Sequence, residues 1–82
     1  MDKIMRIAVA QYNPKIGDLE GNTSKTIDFI VKAKEQKCDL VVFPELSITG
    51  YPPRDLLLRS AFLKACDRAL HKILPYTKGI GV

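Results

Sequence analysis

Asp39-Leu40-Val41-Val42-Phe43-Pro44-Glu45-Leu46 is the stretch on which the rest of the chain turns. Leu40 to Phe43 form a short, wholly apolar run, rich in β-branched residues. Such a run suits a strand buried on both faces of a sheet. Pro44 has no N–H to give to a ladder and closes it. Glu45 is then the first charged residue beyond the carboxyl end of a buried strand, the place where open α/β sheets hold ligands. Roughly thirty residues earlier, Ile4, Met5, Ile7, Ala8, Val9 and Ala10 make a similar run. They predict a strand over residues 4–12, again covered on both faces.

The chain between these runs reads as a helix. Asn13-Pro14 and Gly17-Asp18 punctuate the end of the first strand, because proline fixes φ and glycine allows φ above zero. Asn22, Thr23 and Ser24 offer side-chain oxygens as caps, Asp28 is acidic early, and Lys32, Lys34 and Lys37 are basic late. Both ends match the helix dipole. Ile27, Ile30, Val31 and the stem of Lys34 predict a sheet-facing stripe on a helix reaching about Gln36. Strand, helix and strand at this spacing imply a parallel βαβ unit.

Beyond Glu45, residues 47–55 carry loop chemistry: Gly50 is permissive, and Tyr51 is held extended by Pro52. Leu56 to Arg59 suit a short helical turn. Ser60 is a candidate cap for a longer helix with Phe62, Cys66, Ala69, Leu70 and Ile73 on one face, ended by Pro75. Gly79-Ile80-Gly81-Val82 reads as the opening of a third strand. We therefore expect an α/β fold in which residues 1–82 are the amino-terminal portion of a larger domain, since two strands and a start cannot cover both faces of their sheet.

Composition narrows the function classes. The 82 residues carry thirteen Lys plus Arg against nine Asp plus Glu, a formal charge of +4, and 46% of them are apolar. That is globular rather than disordered. The positive charges are spread along the chain with acids between them and no interleaved aromatic rings, which reads as a solvated surface with no nucleic-acid partner. No apolar run approaches the roughly 18 to 20 residues of a membrane span, so no membrane partner is expected. Cys38 and Cys66 are far apart, without a C-x-x-C or histidine neighbourhood. No metal site or disulfide is expected, and a reducing cytoplasm is the expected location. Neither a G-x-x-x-x-G-K-[ST] loop nor a G-x-G-x-x-G is present, so no nucleotide site is visible.

Glu45 is the sharpest candidate for chemistry. Phe43, Pro44 and Leu46 around it would partly desolvate the carboxylate and raise its pKa toward the range useful for proton transfer. On position alone, a surface glutamate or the partner of a neighbouring base is the commoner outcome. Asp55 suits a cap for the helical turn at Leu56, or alternatively a role in positioning the loop before it. His71 has no second ligand or acid that we expect within reach, and Cys38 and Cys66 are expected to be packing residues.

The strand Ile7 to Gln11, the run Asp39 to Leu46 and Thr49-Gly50-Tyr51 resemble the amino-terminal part of the nitrilase (carbon–nitrogen hydrolase) superfamily. Within it, the continuation Tyr51-Pro52-Pro53-Arg54-Asp55-Leu56-Leu57 is similar to the glutamine amidase domains of the glutamine-dependent NAD synthetases. The resemblance spans nearly the whole chain. It implies an α-β-β-α sandwich with a Glu, Lys, Cys catalytic set, in which Glu45 matches the general base. A cysteine thiolate attacks the glutamine side-chain amide, the glutamate passes the thiol proton to departing ammonia, and a lysine stabilises the oxyanion. Tyr51 would suit lining the glutamine pocket, and equally a packing role over the strand ends.

The resemblance places the lysine and cysteine beyond Val82, so residues 1–82 alone should not catalyse. It implies a ligase that uses the ammonia to amidate deamido-NAD, with ATP and Mg2+ in a separate synthetase domain; no cofactor is expected within residues 1–82. We expect the complete enzyme to be a homo-oligomer. The alternatives are another superfamily amidase or carbamoylase and a small non-catalytic α/β binding module. The 82-residue chain alone is expected to melt broadly and to self-associate through uncovered strand edges and apolar stripes. Sedimentation velocity and a thermal melt check this, and a sharp transition in a clean monomer would reject it.

Overall fold

The structure is a computed structural model that describes residues 4–44, 47–50 and 59–82. Its centre is the expected parallel pair. Strand β1 (Ile7–Val9) lies beside β2 (Leu40–Val42), with Ile7 opposite Leu40, Ala8 opposite Val41 and Val9 opposite Val42. The first strand is shorter than the expected 4–12. A ladder exists only where a neighbour returns its hydrogen bonds, and β2 reaches no farther than a last rung from the Ala10 N–H to the Val42 carbonyl at 2.9 Å. On its other side β2 meets Gly81 in a parallel bridge, with Val41 N–H donating to Gly81 O at 2.9 Å and Gly81 N–H to Asp39 O at 3.0 Å. The expected third strand is present as this one bridge.

Helix α1 (Leu19–Glu35) joins the two strands. It starts earlier than expected and is capped differently. Asp18 is the N-cap, its carboxylate accepting the Gly21 N–H at 3.0 Å, and Asn22 and Thr23 are buried inside the helix. The sheet-facing stripe also differs from the expected one. Asn22, Thr23, Thr26, Ile30 and Ala33 are buried, whereas Val31 is exposed. Helical spacing of three and four selects this row, and its polar first half is what an apolar template misses.

The end of α1 forms a closed reverse turn. Cys38 N–H donates to Ala33 O and Lys37 N–H to Lys34 O, both at 2.9 Å, with Lys37 at φ 59°. This is the double-bonded termination that a left-handed residue makes possible. Cys38 packs against the core beside it, as expected of a packing cysteine.

Helix α2 (Ser60–Ile73) begins at Ser60 itself, and Arg59 precedes it without a side-chain cap. The structure thus makes Ser60 the first helical residue rather than the cap. Ala69 and Ile73 are buried, Leu70 is exposed, and Pro75 sits in a 3-10 turn (Leu74–Thr77) that follows directly. His71 does have an acid in reach. It lies one turn after Asp67, with Nδ1 2.8 Å from the Asp67 carbonyl oxygen and 3.7 Å from a carboxylate oxygen, all at the surface.

Ala10, Val41, Ile30, Ala33, Ile73 and Ile80 share one buried cluster. Residues of both helices meet the strands there, so both helices cover one face of the sheet. Ile7, Val9 and Val42 point the other way and are 52%, 64% and 44% exposed. The expectation of burial on both faces thus fails for this chain. Alternation sends every second side chain to the outer face, and among the described residues nothing covers it. No helix among the described residues is long and apolar enough to cross a membrane.

Lys37 yields a prediction. Left-handed backbone costs a residue with a Cβ about 1–2 kcal/mol, and glycine gives back about 0.5–1 kcal/mol through its freer unfolded chain. Lys37→Gly should therefore stabilise the fold by about 0.5–1 kcal/mol. The urea midpoint measures this, and a lower midpoint would contradict the assignment.

Candidate functional site

Both strands end at the same edge, and the chain there is held by side chains of α1. Tyr12 follows β1, Phe43 follows β2, and Phe29 rises from α1 between them. Tyr12 stacks on Phe29 with centroids 5.3 Å apart, and Phe43 meets each edge-on at 6.4 and 6.3 Å. Ring edges against ring faces favour this arrangement. Beside it a cleft of about 430 Å³ opens at the strand ends between Ala10, Tyr12 and Asn13 on one side and Val42, Phe43 and Pro44 on the other. A larger cleft of about 670 Å³ lies between α1, α2 and Tyr76, with no strand residue in its wall. The chemistry expected of an α/β sheet belongs at the first of these.

Pro44 leads directly to Glu45. Glu45 and Tyr51, the two expected site residues, lie outside the described residues, as do Asp55 and Leu56 to Leu58 of the expected helical turn. What the structure does place is the segment Ser47–Gly50 between Glu45 and Tyr51. The Asn22 side chain, 3% exposed, donates from Nδ2 to the Ile48 carbonyl at 2.8 Å and to the Lys15 carbonyl at 2.8 Å, while its Oδ1 accepts the Lys15 N–H at 2.9 Å. Gly17 N–H donates to Thr49 O at 2.8 Å.

Gly50 completes the junction. At φ 82° it lies so close to the loop after β1 that a Cβ there would stand 2.5 Å from Ile16 Cα and 2.6 Å from Ile16 N. Only glycine combines that φ with that approach.

Tyr12 adds a weaker tie, and counting protons shows how much. Thr26 Oγ1 donates to the Asn22 carbonyl at 2.9 Å, which leaves it an acceptor for the Tyr12 hydroxyl at 3.2 Å. The one Tyr12 proton is then spent, and the Ser47 carbonyl 3.5 Å away is at the outer limit of a hydrogen bond. Asn22 is the member that joins the two loops. The sequence reading took it for a helix cap and passed over Tyr12. The available signal was an asparagine and a threonine four apart on a helix that follows a strand, a polar row where the sheet lies.

Cys66 faces a hollow of about 310 Å³ shared with Pro44, Ser47 and Ile48. Burial raises its thiol pKa, the opposite of what an activated nucleophile requires. Cys38 and Cys66 are both free thiols. Among the described residues no three His, Cys, Asp or Glu side chains gather as metal ligands.

A parallel strand pair with a cleft at its strand ends, and the loop beyond β2 tied to the loop beyond β1, defines an α/β unit of the kind that open-sheet enzymes use. The comparisons make this specific. A family model for carbon–nitrogen hydrolase matches residues 6–76, and the chain belongs to that family. It is 45% identical over 80 residues to the glutamine-dependent NAD(+) synthetase of Thermotoga maritima and 47% identical over 77 residues to that of Xanthomonas campestris, covering 98% and 93% of this chain. In each case it spans 14% of the relative's length.

Two solved structures are similar as well. The glutamine-dependent NAD+ synthetase from Acinetobacter baumannii, in complex with adenosine diphosphate, superposes with a TM-score of 0.84 at 43% identity, over 93% of this chain and 14% of that one. The Cytophaga hutchinsonii glutamine-dependent NAD(+) synthetase gives 0.86 at 30% identity, over 93% and 13%. The α/β unit is thus a portion of the nitrilase-like fold that the resemblance implied.

The Cys66 environment generates a prediction with a definite sign. A raised pKa delays thiolate formation, so alkylation of Cys66 by iodoacetamide, followed by peptide-resolved mass spectrometry, should rise with pH along a curve displaced above that of a free thiol. Displacement to lower pH would mark Cys66 as activated and reverse the packing assignment.

Proposed function

We propose that residues 1–82 are the amino-terminal part of a carbon–nitrogen hydrolase domain that hydrolyses glutamine and supplies ammonia for the ATP-dependent amidation of deamido-NAD. The observation that carries this reading is the family match over residues 6–76 together with similarity to glutamine-dependent NAD synthetases along nearly the whole chain. The family match alone accommodates another amidase or carbamoylase. Identity of 45% and 47% with synthetases favours the first reading.

In this reading Glu45 is the general base. It takes the proton of a cysteine thiol as sulfur attacks the side-chain amide of glutamine, then hands that proton to the nitrogen as ammonia leaves. A lysine holds the negative charge on the amide oxygen, and water releases glutamate from the thioester. The resemblance places the lysine and the thiol elsewhere in the full-length enzyme, and the raised pKa of the half-buried Cys66 thiol and the packing of Cys38 beside the end of α1 agree with that. Tyr51 lines the glutamine pocket. Deamido-NAD, ATP and Mg2+ belong to the second step, and the described residues offer a metal no ligand set. The enzyme acts in the cytoplasm as a homo-oligomer.

Glu45→Gln in the full-length protein tests the assignment. Glutamine-dependent synthesis should fall by about 10²-fold or more, while synthesis from added ammonia is retained, because only the amidase step uses that carboxylate. Equal loss of both activities in a folded variant would reject the role.

A further inference from the structure

We propose that Asn22 is a positioning residue for the amidase step: its buried carboxamide holds the segment after Glu45 at a set distance from the loop after β1. The proposal rests on the functional reading above. The Asn22 side chain is committed on every side that faces the loops. Both Nδ2 hydrogens are used, one on Lys15 O and one on Ile48 O at 2.8 Å each, and Oδ1 takes the Lys15 N–H at 2.9 Å. The pair of bonds to Lys15 orients the amide plane, and the third bond aims it at Ile48. No other residue type of this size offers two donors and an acceptor in one plane.

Placement makes this a matter of geometry rather than general stability. Asn22 sits in the first turns of α1, so it moves with the helix. The chain leaves described Pro44, passes Glu45 and Leu46, and returns at Ser47, one residue before the carbonyl that Asn22 holds. Two residues beyond Ile48, Gly50 presses against Ile16, and Tyr51 follows. Both expected site residues therefore adjoin, in sequence, the segment 47–50, which the Asn22 carboxamide ties to the loop after β1 beside the Gly17–Thr49 bond and the Gly50–Ile16 approach. Misplacement by about 1 Å can reduce a reaction rate by about 10²-fold while binding survives. Tyr12 cannot substitute, since its proton is taken by Thr26.

The experiment uses the full-length protein with Asn22→Ala and Asn22→Asp. The aspartate keeps the shape and the acceptor but turns a carboxylate oxygen on two carbonyl oxygens. Both variants should lower kcat for ammonia release from glutamine by about 10-fold or more, raise the glutamine KM by a smaller factor than they lower kcat, and keep ammonia-dependent synthesis. Amide hydrogen exchange should quicken at Lys15 and Gly17 in Asn22→Ala, and at Gly17 in Asn22→Asp, which keeps the acceptor for Lys15 N–H, while the second half of α1 keeps its protection.

An unchanged kcat, a raised KM with kcat kept, or equal loss of both activities each overturns the proposal. Asn22→Ser, which leaves room for water in place of the carboxamide, replaces either variant that does not fold. A wild-type protein that releases no ammonia from glutamine defeats the functional reading instead. The exchange rates then decide alone, and unchanged exchange at Lys15 and Gly17 in Asn22→Ala overturns the clamp.

Discussion

One buried carboxamide, that of Asn22, ties the loop after β1 to the segment 47–50 at the strand-end edge of this fold. Among the described residues, the two loops above Asn22 also meet through the Gly17–Thr49 hydrogen bond and the approach of Gly50 to Ile16. Burying an amide without partners costs about 1–3 kcal/mol, so the arrangement is strongly conditional: the loops must sit where they do for the side chain to be satisfied, and the side chain must be satisfied for α1 to lie against the sheet. The three bonds make loop position and helix packing one cooperative unit. A leucine at this position would pack the helix and leave the loops without a shared reference.

The sheet shows a different constraint. Its inner face carries small residues, Ala8 and Ala10, opposite the helices, while the larger Ile7, Val9 and Val42 occupy the outer face. Helix α1 packs on β2, whose Val41 is buried on the same inner face, and Ile30 has no exposed surface there. The outer face has the bulk and branching of a second packing surface. In the sandwich architecture that the resemblance implies, that surface meets a second sheet, which accounts for a strand apolar on both sides though only one is covered by this chain's own helices.

Much of the fold was legible because it rests on local physics. Apolar runs at Ile4–Ala10 and Leu40–Phe43 with a helical span between them leave few topologies other than parallel βαβ, and Gly79 to Val82 announced the next strand. Pro44 marked the end of β2 correctly. The family was legible too, from the acidic residue after the strand and the Gly50-Tyr51-Pro52-Pro53 continuation. Asn22 was misread for a physical reason: an asparagine near a helix start caps it in isolation, and Asp18, four residues earlier, had the better geometry. Ser60 was misplaced by one position: it is the first residue of the helix it was expected to cap, and Arg59 before it makes no side-chain cap.

The order of elements, the parallel pairing and the closing of β2 ahead of Pro44 follow from the sequence by itself, because periodicity and the missing proline N–H act between near neighbours. Tertiary structure alone decided which row of α1 faces the sheet, which face of the sheet is covered, and that Gly50 must touch Ile16. Those outcomes join residues such as Asn22 and Ile48, remote in the chain, through hydrogen bonds whose direction no one-dimensional pattern carries.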